Sequence, residues 1–441
     1  MATPLPPLSY EERGNQSIPK PGKTSDPMAS DGIADKTKPK AARLWSNRDW
    51  VLLWSGQLVS VVGTQVSQLA YPLLMLALTD SPAQAGFLSA ARTIPYLLLG
   101  LPAGALVDRW DRKRVMIVCD AGRALALGSI PLALAFGWLT LAQLYAVALV
   151  EGMLNVFFNL AETAALTRVV SREQIPSATT LNEVTLSTGS MLGPALGGLI
   201  FAIGQGFAFL VDAVSYAVSV VSVWFIHSDL SAPRSANASR LLDDIREGIV
   251  WLWRQSLMRF LAFVVGGTVL IESGYMLVVI ILAQQMGASS IAVGLILGAG
   301  GVGSIVGAVL SGPAMRQLTF GQIAMGVHWI WALLLPLYAI APTPLALAAI
   351  TAAAYGVTPI FFVAQYSYRL ARIPNELQGR VNGVFRLLLF GGQPLGLALA
   401  GLLSQSIGPV RTVLVFSALL LALALSITLN RELRRAGKLT P

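Results

Sequence analysis

The sequence predicts an all-α membrane protein of twelve transmembrane helices, arranged as two parallel six-helix halves. Three observations predict it. Apolar segments of about 20 residues or more recur along the chain, each long enough to cross a hydrocarbon core of roughly 30 Å. Of its 441 residues, 55% are hydrophobic and only 12% are charged, whereas a soluble domain carries about 25% charged residues. The charges that remain collect in alternate connections between the apolar segments.

Taken in order, residues 1–47 are Pro-rich, mixed in charge and nearly free of large apolar side chains until Trp45. They bury too little surface to offset ordering and read as a disordered cytoplasmic tail. No cleaved signal peptide is expected, because the first apolar run starts near Trp50 and continues for about 30 residues. Trp45, Trp50 and Trp54 fit the headgroup level at the start of that run. Spans 1 to 12 fall near 50–79, 84–107, 115–137, 141–167, 179–203, 206–227, 259–285, 290–313, 319–341, 343–370, 380–404 and 408–430. One set of connections holds Arg109, Arg112, Lys113, Arg114, Arg168, Arg172, Arg234, Arg240, Arg246, Arg254, Arg316, Arg372 and Arg380. The other set is short and offers only Arg411. The excess of arginine and lysine on one side puts both termini in the cytoplasm, and an even span count agrees.

Residues 48–227 form the first half and 259–430 the second. Between them, 228–258 reads as a linker. Its stretch Leu242–Trp253 has apolar residues at helical spacing with charges opposite, so an amphipathic helix at the cytoplasmic interface is expected. Residues 431–441 form a second cytoplasmic tail. The halves echo each other: Asn182, Val184 and Pro194 recur 200 positions later as Asn382, Val384 and Pro394. Phe157, Phe158 and Arg168 recur 204 positions later as Phe361, Phe362 and Arg372. The matches fall on spans 4–5 and 10–11 in the same orientation, which indicates a parallel repeat about an axis normal to the membrane.

Several function classes are excluded. A single cysteine, Cys119, rules out an internal disulfide framework and a cysteine metal cluster. His227 and His328 are too few for a histidine metal site. The formal charge of +9 is distributed as membrane topology requires, so no nucleic-acid partner is expected. Gly298-Ala299-Gly300-Gly301-Val302-Gly303 fits a dinucleotide pattern but lies inside an apolar span without a preceding strand, so it reads as close helix packing or a hinge. There is no Gly-Lys-Ser/Thr phosphate loop, paired histidine or nucleophile motif. The expectation is a non-enzyme without a cofactor.

Two motifs carry the mechanism. The first is Gly104-Ala105-Leu106-Val107-Asp108-Arg109-Trp110-Asp111-Arg112-Lys113-Arg114, in which six residues are charged between spans 2 and 3. Topology alone accounts for its basic residues but not for Gly104 or Asp108. Gly104 removes a side chain where two helices approach closely. The second is Gly189-Ser190-Met191-Leu192-Gly193-Pro194-Ala195-Leu196-Gly197-Gly198 in span 5. Its glycines allow backbone-close packing, and Pro194 removes a hydrogen bond and bends the helix. By itself it reads as a kinked packing helix.

Ionisable residues inside spans cost about 2.5–3.5 kcal/mol each at the helix centre. Arg92 on span 2 and Glu151 on span 4 lie at matching depths, roughly 12–15 Å below the outer surface at 1.5 Å per residue. Arg123 and Glu162 match in the same way near the inner surface, with Asp120 one turn from Arg123. Asp212 lies on span 6, and Glu272 on span 7 near the midplane. Each is either a paired structural charge or a proton-exchanging group. Glu151 or Glu272 is the expected proton carrier, with Arg92 as the counter-charge and Asp212 as a further candidate. Gln57, Ser60, Thr64, Gln68 and Tyr71 form a polar stripe on span 1 that faces either another helix or a central cavity, but not lipid.

The Gly-x-x-x-Asp-Arg-x-Asp-Arg-Lys spacing resembles the loop between helices 2 and 3 of the major facilitator superfamily. The Gly-x-x-x-Gly-Pro-x-x-Gly-Gly pattern resembles the antiporter motif of its drug–proton exchangers. Asp244-Ile245-Arg246-Glu247-Gly248 and Leu192–Gly198 resemble the macrolide-efflux and enterobactin-exporter branch. The resemblance implies a conformational latch of Gly104, Asp108, Arg109 and Arg112, with Asp108 against the start of span 11 in the outward-closed state. It implies a monomeric bacterial inner-membrane exporter of amphipathic small molecules in exchange for protons. An importer or a lysolipid flippase of the same fold is the rival reading. The chain departs from the superfamily in lacking an acid on span 1 and an arginine at the usual span-4 position, where Glu151 stands. Its second half ends Gly303-Ala308-Gly312-Pro313 in Arg316 without an aspartate. Tyr275, Met276, Tyr355, Phe361, Phe362 and Tyr366 are expected either as an adaptable binding wall or as ordinary packing.

Overall fold

A computed structural model describes residues 44–231 and 241–437, with helices and short connections but no strand among the described residues. The expected tail over 1–43, Arg234, Arg240 and residues 438–441 lie outside them. The first half comprises α1 (Arg48–Thr79), α2 (Pro82–Val107), α3 (Arg112–Ala135), α4 (Leu141–Val169), α5 (Ile175–Ile203) and α6 (Phe207–Trp224). The linker supplies α7 (Leu241–Arg254). The second half comprises α8 (Ser256–Gln285), α9 (Ser290–Gln317), α10 (Phe320–Leu334), α11 (Pro344–Arg372), α12 (Gln378–Ile407) and α13 (Pro409–Leu429). A 3-10 stretch carries α10 on to Ile340, and the short α14 (Arg431–Arg434) follows the last span. Eleven described helices are long and apolar enough to cross a membrane. With the 26-residue α2 they make the expected twelve, and spans 7–12 are α8–α13.

Local chemistry sets the helix ends. Asn47 caps α1 by accepting from the Trp50 amide at 3.1 Å, and Asp80 closes the helix at φ 51°. Ser81 followed by Pro82 starts α2, and Thr343 followed by Pro344 starts α11. Thr319 and Gln322 form a reciprocal capping box at the head of α10. The basic loop after α2 is short because Asp111 accepts from the Lys113 and Arg114 amides at 2.9 and 3.3 Å and begins α3 at once.

The halves repeat one packing scheme. In the first, α1 packs on α5 and α6, α2 on α4, and α3 on α4 and α6. In the second, α8 packs on α12 and α13, α9 on α11, and α10 on α11 and α13. Lipid offers no hydrophobic drive between helices, so close approach of small residues holds them. Within the first half, a Cβ on Gly152 of α4 would collide with the Arg92 carbonyl of α2. In the second, Gly303 and Gly307 of α9 press in the same way on the Ala352 and Gly356 carbonyls of α11. The Gly298–Gly303 run is therefore a helix-packing face.

The linker helix α7 rests on the start of α12. Gly248 lies under the Arg380 backbone, where an added Cβ would meet the carbonyl oxygen at 2.8 Å, and Glu247 pairs with Arg380. Leu252 is buried while Ile249, Val250 and Trp253 are exposed, so an apolar face stays uncovered by protein. The end of the chain departs from a simple tail. Leu433 and Ala436 are buried, and the Gly437 carbonyl accepts from the Phe320 amide at 3.4 Å. A Cβ on Gly321 would strike the Leu433 carbonyl, so residues 431–437 dock on the head of α10.

Candidate functional site

Two seams join the halves, α2 against α12 and α5 against α9. Both are tightest at the end with short connections. There the Cβ position of Gly86 lies 2.8 Å from the Gly401 Cα, and that of Gly294 lies 3.1 Å from the Gly198 Cα. Ser81 donates to Gln405 across the same end at 3.0 Å. At the opposite end, which carries the basic loops, the halves part around a cavity of about 740 Å³. Its mouth is lined by Glu162, Thr163 and Leu166 from α4, Thr179 and Glu183 from α5, and Arg386 from α12.

All five residues of the span-1 stripe, Gln57, Ser60, Thr64, Gln68 and Tyr71, line this cavity. Thr64 bonds the Tyr216 hydroxyl at 2.8 Å, while the Gln57 side-chain nitrogen and Tyr71 hydroxyl have no hydrogen-bond partner among the described residues. Arg92 and Glu151 lie on the wall and pair directly: Arg92 Nη2 donates to Glu151 Oε1 at 2.8 Å and Nε donates to the other oxygen. Glu151 is fully buried, and the guanidinium lies 5.5 Å from the Tyr71 ring centre. This two-toothed geometry fits a charge pair held away from water.

Arg123 goes elsewhere than the depth match with Glu162 suggests. It pairs with Asp120 on its own helix, donates to Asn155 Oδ1 at 2.9 Å, and lies 4.1 Å over the Tyr216 ring. Asp120 wins because a partner one turn away on the same helix needs no second element to position it. Glu162 is left on the cavity wall. Asp212 is buried beside α1, outside the cavity lining, and accepts from Ser215 at 3.2 Å. Glu272 is not on the main cavity either. It lines a separate small pocket inside the second half.

The span-5 motif divides its glycines between two partners. Gly189, Gly193 and Gly197 pack on Val61, Gln65 and Val66 of α1, whereas Gly198 and the Pro194 carbonyl meet Ser290 and Gly294 of α9. One face thus builds the first half and the other closes the seam. Its copy in α12 keeps the first task, with Gly392 and Gly396 against the Gly266 and Leu270 carbonyls of α8.

The latch residues require a correction. Asp108 and Arg109 are exposed, and a Cβ on Gly104 would meet nothing within 4 Å. Arg112 is buried. Asp108 does not sit against the start of α12 although the short-loop end is closed. The reason is geometric: α2 and α12 touch through Gly86 and Gly401 at that end and through Tyr96 and Phe390 midway, while Asp108 stands exposed at the far end of α2. The aromatic set divides: Tyr275, Met276 and Tyr355 line a small pocket in the second half. Phe361 is fully buried core and Tyr366 is half exposed. Only Met276 of that set reaches the main cavity, whose aromatic lining is Tyr71, Tyr96, Phe158 and Phe390.

Sequence reasoning missed Tyr96, Asn155, Asn159, Arg386, Phe390 and Gln393, all on the cavity wall. Tyr96 accepts hydrogen bonds from both asparagines, from Asn159 at 2.7 Å, and its ring lies 4.9 Å from that of Phe390, tilted by 33°, across the α2–α12 seam. Glu151, Asn155, Asn159 and Glu162 form a polar stripe at helical spacing on span 4, a signal as plain as the one on span 1.

A sequence profile of the transmembrane secretion effector family matches residues 44–440. The chain is 30% identical over 414 residues to the multidrug efflux pump Tap of Mycolicibacterium fortuitum, covering 88% of this chain and 98% of Tap. It is 26% identical over 381 residues to the enterobactin exporter EntS of Citrobacter koseri, covering 86% of this chain and 90% of EntS. Among solved structures, that of the nucleoside transporter NupG superposes with a TM-score of 0.70 at 16% identity, covering 86% of this chain and 98% of NupG.

Proposed function

The chain belongs to the transmembrane secretion effector family, within the major facilitator superfamily, and on that premise we propose that it exports amphipathic small molecules by alternating access in exchange for protons. The observation that carries this reading is the 740 Å³ cavity between the halves, open at the basic-loop end and sealed at the other by glycine-on-glycine contacts. The positive-inside rule assigns the open end to the cytoplasm of a bacterial cell, and with it both termini. The cavity then faces its cargo before export. Polar groups from α1, α2 and α4 share its wall with Phe158, Phe390, Met276 and Leu277, which suits a drug-like or siderophore-like molecule.

For the exchange step, the reading uses the Arg92–Glu151 pair. A proton on Glu151 frees Arg92, and loss of that proton restores the pair. Rocking the halves closes the basic-loop end, brings Asp108 to the positive end of α12, and parts the Gly198–Gly294 contact. Names of relatives that are efflux pumps support export over import. The test uses everted inner-membrane vesicles holding the full chain, with ethidium as probe. An acid-inside gradient is expected to drive ethidium into the vesicles, and a protonophore to stop it. Uptake without a gradient, or equal uptake in vesicles lacking the protein, contradicts the proposal.

A further inference from the structure

The second half holds a small cavity of about 30 Å³ between α8, α10 and α11, sharing Met276 with the main cavity. Its walls include Tyr275, Tyr338, Tyr355 and Trp331 around the carboxylate of Glu272. Apart from the Tyr355 hydroxyl, the surrounding polar groups are engaged. Tyr275 bonds Ser417 at 2.6 Å, Tyr338 bonds Thr351 at 2.9 Å, Trp331 Nε1 donates to the Ala354 carbonyl at 2.8 Å, and Thr268 donates to the Val264 carbonyl at 2.7 Å. Glu272 itself has no hydrogen bond or ion pair among the described residues.

This combination selects an occupant. Glu272 is partly buried among aromatic and apolar groups, and an unpaired charge in such surroundings is costly, so the carboxylate calls for a cation or a proton. A metal ion needs several free oxygen ligands, and beside Glu272 only the Tyr355 hydroxyl is without a partner among the described residues. An anion is repelled. A protonated amine fits: its charge meets the carboxylate, and its carbon substituents meet aromatic faces that attract cations. The volume admits only a head of a few heavy atoms, so a tail must pass Met276 into the main cavity.

We propose that this pocket is a subsite for the ammonium head of a cationic amphiphile whose tail lies in the main cavity. Its use in transport rests on the export reading above, but its binding does not.

The test is calorimetric titration of the full-length protein in lipid nanodiscs with n-octylammonium, with n-octanol as the uncharged control. The wild type is expected to prefer n-octylammonium, and Glu272→Gln to weaken it by about tenfold or more while leaving n-octanol affinity unchanged. Equal n-octylammonium affinity in wild type and Glu272→Gln, or no preference for it in the wild type, overturns the subsite. Should Glu272→Gln fail to fold, Tyr355→Leu decides. A drop in its preference for the ammonium supports the proposal, and an unchanged preference overturns it. Failure of the export reading looks different: no gradient-driven ethidium uptake in vesicles, with the binding contrast between wild type and Glu272→Gln intact.

Discussion

At the scale of single residues, the first half spends its charges in two ways. Arg123 is held by Asp120, Asn155 and the Phe158 and Tyr216 rings. Arg123→Met leaves Asp120 buried and unpaired and is expected to cost about 3–5 kcal/mol, read as a lower thermal unfolding midpoint in detergent. Arg92 and Glu151 also pair, but across two helices, on the main-cavity wall that Arg123 lines too. Glu151→Gln keeps an acceptor for Arg92 and removes the titratable proton. Expression and unfolding midpoint are expected to stay near wild type while acid-driven ethidium uptake is lost; uptake at the wild-type rate would remove Glu151 from the exchange. Depth counting along the spans could pair Arg92 with Glu151, because both positions follow from helix rise. The same counting paired Arg123 with Glu162, since it cannot weigh a same-helix neighbour against a cross-helix one. Arg386 carried no signal at all: an arginine near a helix end reads as topology until the cavity shows it on the wall.

At the scale of elements, helix ends and glycine faces do most of the positioning. The caps at Ser81, Asp111, Thr319 and Thr343 and the prolines that follow two of them are local, so span positions could be read from the chain to within a few residues. The partner of each glycine could not, because a face is defined only when a second helix arrives. Gly189 and Gly198 stand in one motif, yet they serve different helices on different sides of the molecule. A bulky residue at Gly198 should therefore wedge α5 from α9 without disturbing α1. Gly198→Leu is expected to shift the protein towards closure at the basic-loop end. A cysteine placed at Thr163 would then react more slowly with a membrane-impermeant thiol reagent in everted vesicles; an unchanged rate would show that the seam does not control the opening. By contrast, Glu247 and Arg380 form a partly exposed pair, worth about 0–1 kcal/mol. Glu247→Gln should leave the unfolding midpoint within about 1 °C of wild type.

At the scale of the whole molecule, the two halves are copies of one packing scheme that meet along two seams, and both seams are closed at the same end. The repeat was legible in residues such as Asn182 and Asn382, and the basic loops carry an expected orientation. The conformational state was not legible, because the charged loop between α2 and α3 serves either state and only the placement of Asp108 in space distinguishes them. The central claim is that the short-loop end must open for transport to occur. It is tested by joining that end: Ser81→Cys and Gln405→Cys, in a Cys119→Ser background, linked by a short bis-methanethiosulfonate reagent across a gap now spanned by a 3.0 Å hydrogen bond. Linked protein should lose gradient-driven ethidium uptake in everted vesicles, and a reductant that cleaves the link should restore it. Transport that continues at the unlinked rate with the link fully formed would contradict alternating access between these halves.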